Sequence, residues 1–265
     1  MRGVTLVAAV LILGGGAAAV ARQDGSHRPD WARNLPAGYL LPGAIDATAV
    51  VSPAPKKGDE RYQLDRKIFR ETRKLRGTPR WALATSDVKL APTDLMRDFS
   101  CAAGKSLTPE TAPKLNRLMM RVLVDGQTIN EAVKNRYRRL RPFQIDKGEI
   151  CQPKSELVTS FDYPSGHTVW GWSWAYVLTQ LLPERATPIL ARGRAYGESR
   201  MICGAHNASA VDAGARVAAA TVAALNGSAA FRADMDAART ELAALPATDA
   251  RECRAETDLI ERPFR

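Results

Sequence analysis

Apolar positions along this chain recur at three- and four-residue intervals, and that spacing predicts helices. Residues Arg61 to Arg76 form a charged helix with Leu64, Ile68 and Phe69 on one side. From Thr111 to Val124 the positions of Leu115, Leu118, Met119 and Val122 keep the same rhythm, and Asp125-Gly126 is read as its end. A second run begins at Thr128 and meets Pro142, which disfavours helix at Arg141. The sequence Leu181-Leu182-Pro183 separates two further helical runs, and Ser209 to Asn226 is an alanine-rich helix. Trp170, Trp172, Trp174 and Tyr176 alternate as a strand would, yet they also pair four residues apart, as on a buried helix. No internal repeat is present. The pattern predicts an all-α protein with one helical-bundle domain over residues 56–245, an extended arm rich in Pro, Gly and small residues over 22–55, and a C-terminal tail over 246–265.

Composition narrows this picture. A 265-residue chain that is 45% hydrophobic and 25% charged is neither disordered nor collagen-like. The excess of 38 Lys and Arg over 28 Asp and Glu gives a net charge of +10, which suits anionic partners without choosing among them. The first 21 residues read as a secretory leader: Arg2, an apolar run from Val4 to Leu13, then the small-x-small pattern Ala19-Val20-Ala21. Nothing after the leader is read as long and apolar enough to span a bilayer. Export to the periplasm or the medium is therefore expected. Cys101, Cys151, Cys203 and Cys253 suit disulfides in that setting, with three connectivities open. None has the close spacing of a zinc site, and no metal or other cofactor is expected.

Three segments carry chemistry. Lys134, Arg136, Arg138, Arg139 and Arg141 place five cations in eight residues. On a continuous helix Lys134 and Arg141 share a face with Arg138 between them, a face able to grip an oxyanion. Next, Pro164-Ser165-Gly166-His167 precedes an apolar helix, so that unpaired backbone N–H groups, a hydroxyl and an imidazole meet at a helix start. Third, Ser199-Arg200 is followed by His206, so two of the three histidines (His27 is the other) fall in these segments. A cationic grip with two histidines is a set suited to phosphoryl transfer.

These residues resemble the signature of the bacterial class A non-specific acid phosphatases, in the superfamily of type 2 phosphatidic acid phosphatases and vanadium haloperoxidases. The signature runs K-x6-R-P, then P-S-G-H, then S-R-x5-H-x3-D. Here it appears as Lys134 through Arg141-Pro142, Pro164 to His167, and Ser199-Arg200 with five residues before His206. Tyr137, Phe143, Tyr163, Gly197-Glu198 and Ile202-Cys203-Gly204-Ala205 extend the likeness, which covers about residues 46–231. The resemblance implies that Lys134, Arg141, Ser165, the Gly166 N–H and Arg200 bind the phosphoryl oxygens. It implies that His206 attacks phosphorus to form a phosphohistidine, while His167 protonates the leaving alcohol and then activates water. No metal is implied, because the cations take its electrostatic role. The partners implied are small phosphate monoesters, with inorganic phosphate or vanadate as inhibitors. Nucleic acid is not implied, nor is stable membrane association after leader cleavage; a homo-oligomer is compatible with the sequence.

The match departs at one point. The aspartate expected four residues after the attacking histidine is Ala210. Asp212, six residues on, lies about 120° around a helix and is a poor substitute, whereas Ser209 is placed to orient the ring through a neutral hydrogen bond. A weak or inactive phosphate-binding protein is the alternative this gap leaves.

Overall fold

Helix starts in this protein are written in short side chains and prolines. In the computed structural model, residues 35–261, 263 and 264 are described. The expected leader, the start of the arm and His27 lie outside them. In chain order the helices are α1 (Glu60–Thr72), α2 (Pro79–Ser86), α3 (Pro92–Ala103), α4 (Pro113–Tyr137), α5 (Pro142–Ile145), α6 (Gly166–Leu181), α7 (Ala186–Cys203), α8 (Ala208–Leu225), α9 (Ala229–Ala244) and α10 (Ala250–Ile260). Proline opens α2, α3, α4 and α5, where its missing N–H costs nothing. Thr78, Ser165 and Ser228 cap α2, α6 and α9 with side-chain oxygens. Gly104 and Gly204 end α3 and α7 in the left-handed conformation. No strand forms among the described residues, in agreement with the all-α expectation.

The core is built around α6, which packs on α4, α7 and α8. Its aromatic alternation is helical: Trp174 is buried against Phe99 with ring centroids 5.8 Å apart, and Trp172 stacks on Tyr176 at 5.3 Å. A β-carbon on Gly214 of α8 would lie 2.7 Å from the carbonyl oxygen of Ser165. That close approach seats the first turn of α6 against α8, which is how the core fixes the second motif relative to the third.

Several expectations give way here. Asp125-Gly126 does not end a helix: α4 runs through it for 25 residues. The Asp125 carboxylate, buried on that helix, accepts the backbone N–H groups of Tyr39 and Leu40, and Gly126 lets α6 approach through Val169. Residues 35–55, read as an arm outside the domain, belong to the same compact unit, with Ala47, Val51 and Ala54 buried. The span 246–265, read as a tail, contains α10, which the Cys101–Cys253 disulfide ties to α3. The second disulfide is Cys151–Cys203. By length and composition α8 does qualify to cross a membrane, against the expectation for segments after the leader. Its apolar character serves the core instead, with Val217, Ala218, Val222 and Leu225 buried there.

Gly214→Ala is expected to cost about 1–3 kcal/mol in urea denaturation, since the methyl meets backbone that cannot move without displacing α6.

Candidate active site

The cationic segment does not lie on one helix. Helix α4 stops at Tyr137, Arg138 takes φ 47° and turns the chain, and Arg141 sits at the N-cap of α5. The expected shared face of Lys134, Arg138 and Arg141 is therefore corrected. Arg138 is exposed over the Phe161 ring, while the turn brings Lys134 and Arg141 to one cavity. Both are held by the loop before α6. The Lys134 ammonium donates to the Phe161 carbonyl at 2.6 Å, and Arg141 donates through Nε to the Ser160 carbonyl at 2.9 Å. Arg141 Nη1 also donates to the Ala205 carbonyl at 2.9 Å.

The cavity has a volume of about 310 Å³. Lys134, Arg141, Gly166, His167 and His206 line it, together with Trp170 and the carboxylate-bearing Glu131 and Glu156. Ser165 and Arg200 stand just behind the wall, fully buried. The Ser165 hydroxyl serves as the cap of α6 and accepts from Thr168 Oγ1 at 2.9 Å. Arg200 donates through Nη2 to Gln152, while its Nε and Nη1 are buried with no hydrogen-bond partner among the described residues. Two buried guanidinium donors unmatched by protein acceptors are suited to an anionic oxygen.

The contacts of His206 fix its tautomer. Its Nδ1 lies 2.7 Å from the Asp162 carbonyl, which can only accept, so Nδ1 carries the proton. Its Nε2 lies 3.0 Å from Arg141 Nη1, which can only donate, so Nε2 presents a lone pair. Burial, with Arg141, Lys134 and Arg200 nearby, holds the ring's pKa well below the ordinary histidine value and favours its neutral form. His167 is likewise held low, by burial and then by Arg200, and its Nε2 donates to the Val88 carbonyl at 3.0 Å. Burial also lowers Lys134 to about 8, and Arg141 and Arg200 to about 10.

Ser209 does not orient the ring. Its hydroxyl donates to Asp65 at 2.5 Å and accepts from Arg139 at 2.6 Å. Asp212 is at the surface, paired with Arg61. Ala210 is fully buried in an apolar cluster with Val133, Tyr163 and Val169, and its carbonyl accepts from the Ser165 N–H at 2.9 Å. The side chain the sequence did not single out is Asp162, fully buried, with Oδ1 3.3 Å from His206 Nδ1. Burial raises its pKa, and Arg139 and Asn207 oppose that rise. Its position two residues before Pro164-Ser165-Gly166-His167 was the available signal.

The PAP2 superfamily pattern matches residues 118–232. An acid phosphatase of Zymomonas mobilis is 41% identical over 199 residues, covering 74% of this chain and 75% of that protein. A non-specific acid phosphatase of Providencia stuartii is 36% identical over 205 residues, covering 76% and 83%, and one from Salmonella typhimurium is 33% identical over 202, covering 75% and 81%.

Two outcomes follow from the geometry. Phosphate affinity is expected to weaken as pH rises through about 8, because an anion prefers protonated Lys134 and that charge is lost there; Lys134→Arg should move this limb upward in a pH series of inhibition constants. Ala210→Asp is expected to lower stability by about 2–4 kcal/mol, measured by denaturation, and not to raise turnover, since a carboxylate there has apolar neighbours.

Proposed function

Because the chain belongs to the PAP2 superfamily and, within it, to the bacterial acid phosphatases, we propose that it is an exported phosphatase acting on small phosphate monoesters through a phosphohistidine, without a metal ion. The observation that carries this reading is the state of His206: a neutral ring with its Nε2 lone pair directed to Arg141 at the wall of a cationic cavity.

The chemistry balances as two displacements. The Nε2 lone pair bonds phosphorus while the ester P–O bond breaks, and His167 gives its proton to the departing alkoxide. Water then bonds phosphorus, His167 takes a proton from it, and the N–P bond breaks to release phosphate. Lys134, Arg141 and the free donors of Arg200 offset the charge on the equatorial oxygens, and the N–H groups at the start of α6 add a fixed dipole. His167 starts neutral beside these cations, and a bound dianion favours its protonated form, so substrate charge and the acid proton enter together.

The depressed pKa of His206 supports work in acid, since the nucleophile is lost only when pH falls below that lowered value. Two disulfides among the described residues support an oxidising compartment. A phosphate-binding protein with weak or no turnover is the rival reading, and it rests on Ala210 alone.

The expected result is hydrolysis of p-nitrophenyl phosphate at acidic pH with chelator present. His206→Ala should lower kcat by about 10³-fold or more while phosphate still binds. Activity that vanishes with chelator and returns with zinc or magnesium would contradict the metal-free mechanism. A His206→Ala variant that keeps most of its activity would remove His206 as nucleophile.

A further inference from the structure

We infer that Asp162 is the positioning residue for His206, supplying from the loop before α6 the carboxylate that α8 lacks. The inference rests on the phosphatase reading and adds to it which group orients the nucleophile and offsets the charge the ring acquires.

The contact has two parts. The Asp162 carbonyl accepts the Nδ1 proton at 2.7 Å and fixes the tautomer, and carboxylate Oδ1 stands 3.3 Å from the same nitrogen. Helix α8 offers nothing equivalent, because position 210 carries a methyl, Ser209 is bound to Asp65 and Arg139, and Asp212 pairs with Arg61.

The carboxylate is itself fixed from several sides. Oδ1 accepts the Asn207 backbone N–H at 3.0 Å, Oδ2 accepts the Asn207 amide at 2.8 Å, and Arg139 Nη1 lies 3.5 Å from Oδ2. Arg139 is anchored in turn by Asp65 at 2.7 Å, and the Asp162 N–H donates to the Arg139 carbonyl at 2.9 Å. Donors on this side hold the group as an acceptor, and Asn207, the residue after His206, ties it to the ring it serves.

Charge gives the arrangement its use. Around His206 stand Lys134, Arg141 and Arg200, each opposing positive charge on the ring. When Nε2 bonds phosphorus while Nδ1 keeps its proton, the ring becomes cationic. Asp162 is the carboxylate in contact with it, and it stabilises that state without taking the proton. An orienting carboxylate behaves this way in hydrolytic triads on other folds.

The test compares Asp162→Asn with wild type and His206→Ala on p-nitrophenyl phosphate. The carbonyl contact survives in Asp162→Asn, so kcat is expected to fall about ten- to a thousandfold with phosphate inhibition within about threefold of wild type. The acidic limb of kcat/KM should also move to lower pH, because removing a negative neighbour lowers the pKa of His206 further. A lesion of structure alone lowers the rate without moving that limb. If Asp162→Asn does not accumulate as folded protein, Asn207→Ala reads the same role by releasing Oδ2, and kcat should drop about fivefold or more at unchanged KM; an unchanged kcat there overturns the inference. If wild type turns over and His206→Ala does not, while Asp162→Asn keeps its kcat and its acidic limb, the role of Asp162 is overturned and the phosphatase reading stands. If wild type hydrolyses no phosphate monoester at all, both fall.

Discussion

Lys134, Arg141 and Arg200 are buried, and none of the three forms an ion pair with a carboxylate among the described residues. Removing a cation from water without a counter-ion is costly, so the fold has to supply that free energy elsewhere. It does so with neutral acceptors: the Phe161, Ser160 and Ala205 carbonyls hold Lys134 and Arg141, and the Gln152 side chain holds Arg200, without cancelling their charge. The rest of the site follows from this constraint. A histidine set among such cations stays neutral, and a neutral histidine has a lone pair to use.

Away from the cavity, buried charge is treated in the opposite way. Arg192 lies between Asp87, at 2.7 Å, and Glu256, at 2.6 Å. This arginine is matched by carboxylates and serves packing. The contrast within one core separates cations left without a counter-ion at the cavity from a cation paired within the scaffold.

The motif residues were legible because their spacing is fixed by chemistry, and five of the seven named from sequence line one cavity, with Ser165 and Arg200 directly behind it. The helical class was legible from periodicity. What was missed depends on long-range contacts. Asp125-Gly126 looks like a stop until Tyr39 and Leu40 are seen to need that carboxylate. Ser209 looks like an orienter until Asp65, 144 positions earlier, is seen to claim its hydroxyl. Arg138, a non-glycine residue in the left-handed conformation, redirects the chain between two motif cations, a change that counting along a helix does not reveal.

The unmatched donors of Arg200 have a consequence for folding thermodynamics. An anion that fills this cavity binds the folded chain and has no such site on the unfolded one. At a free concentration about 100 times its dissociation constant it adds about 2.7 kcal/mol to the stability of the native state. An anion held by these donors is thus a ligand of the fold as well as of the site, and the melting temperature becomes a gauge of its concentration.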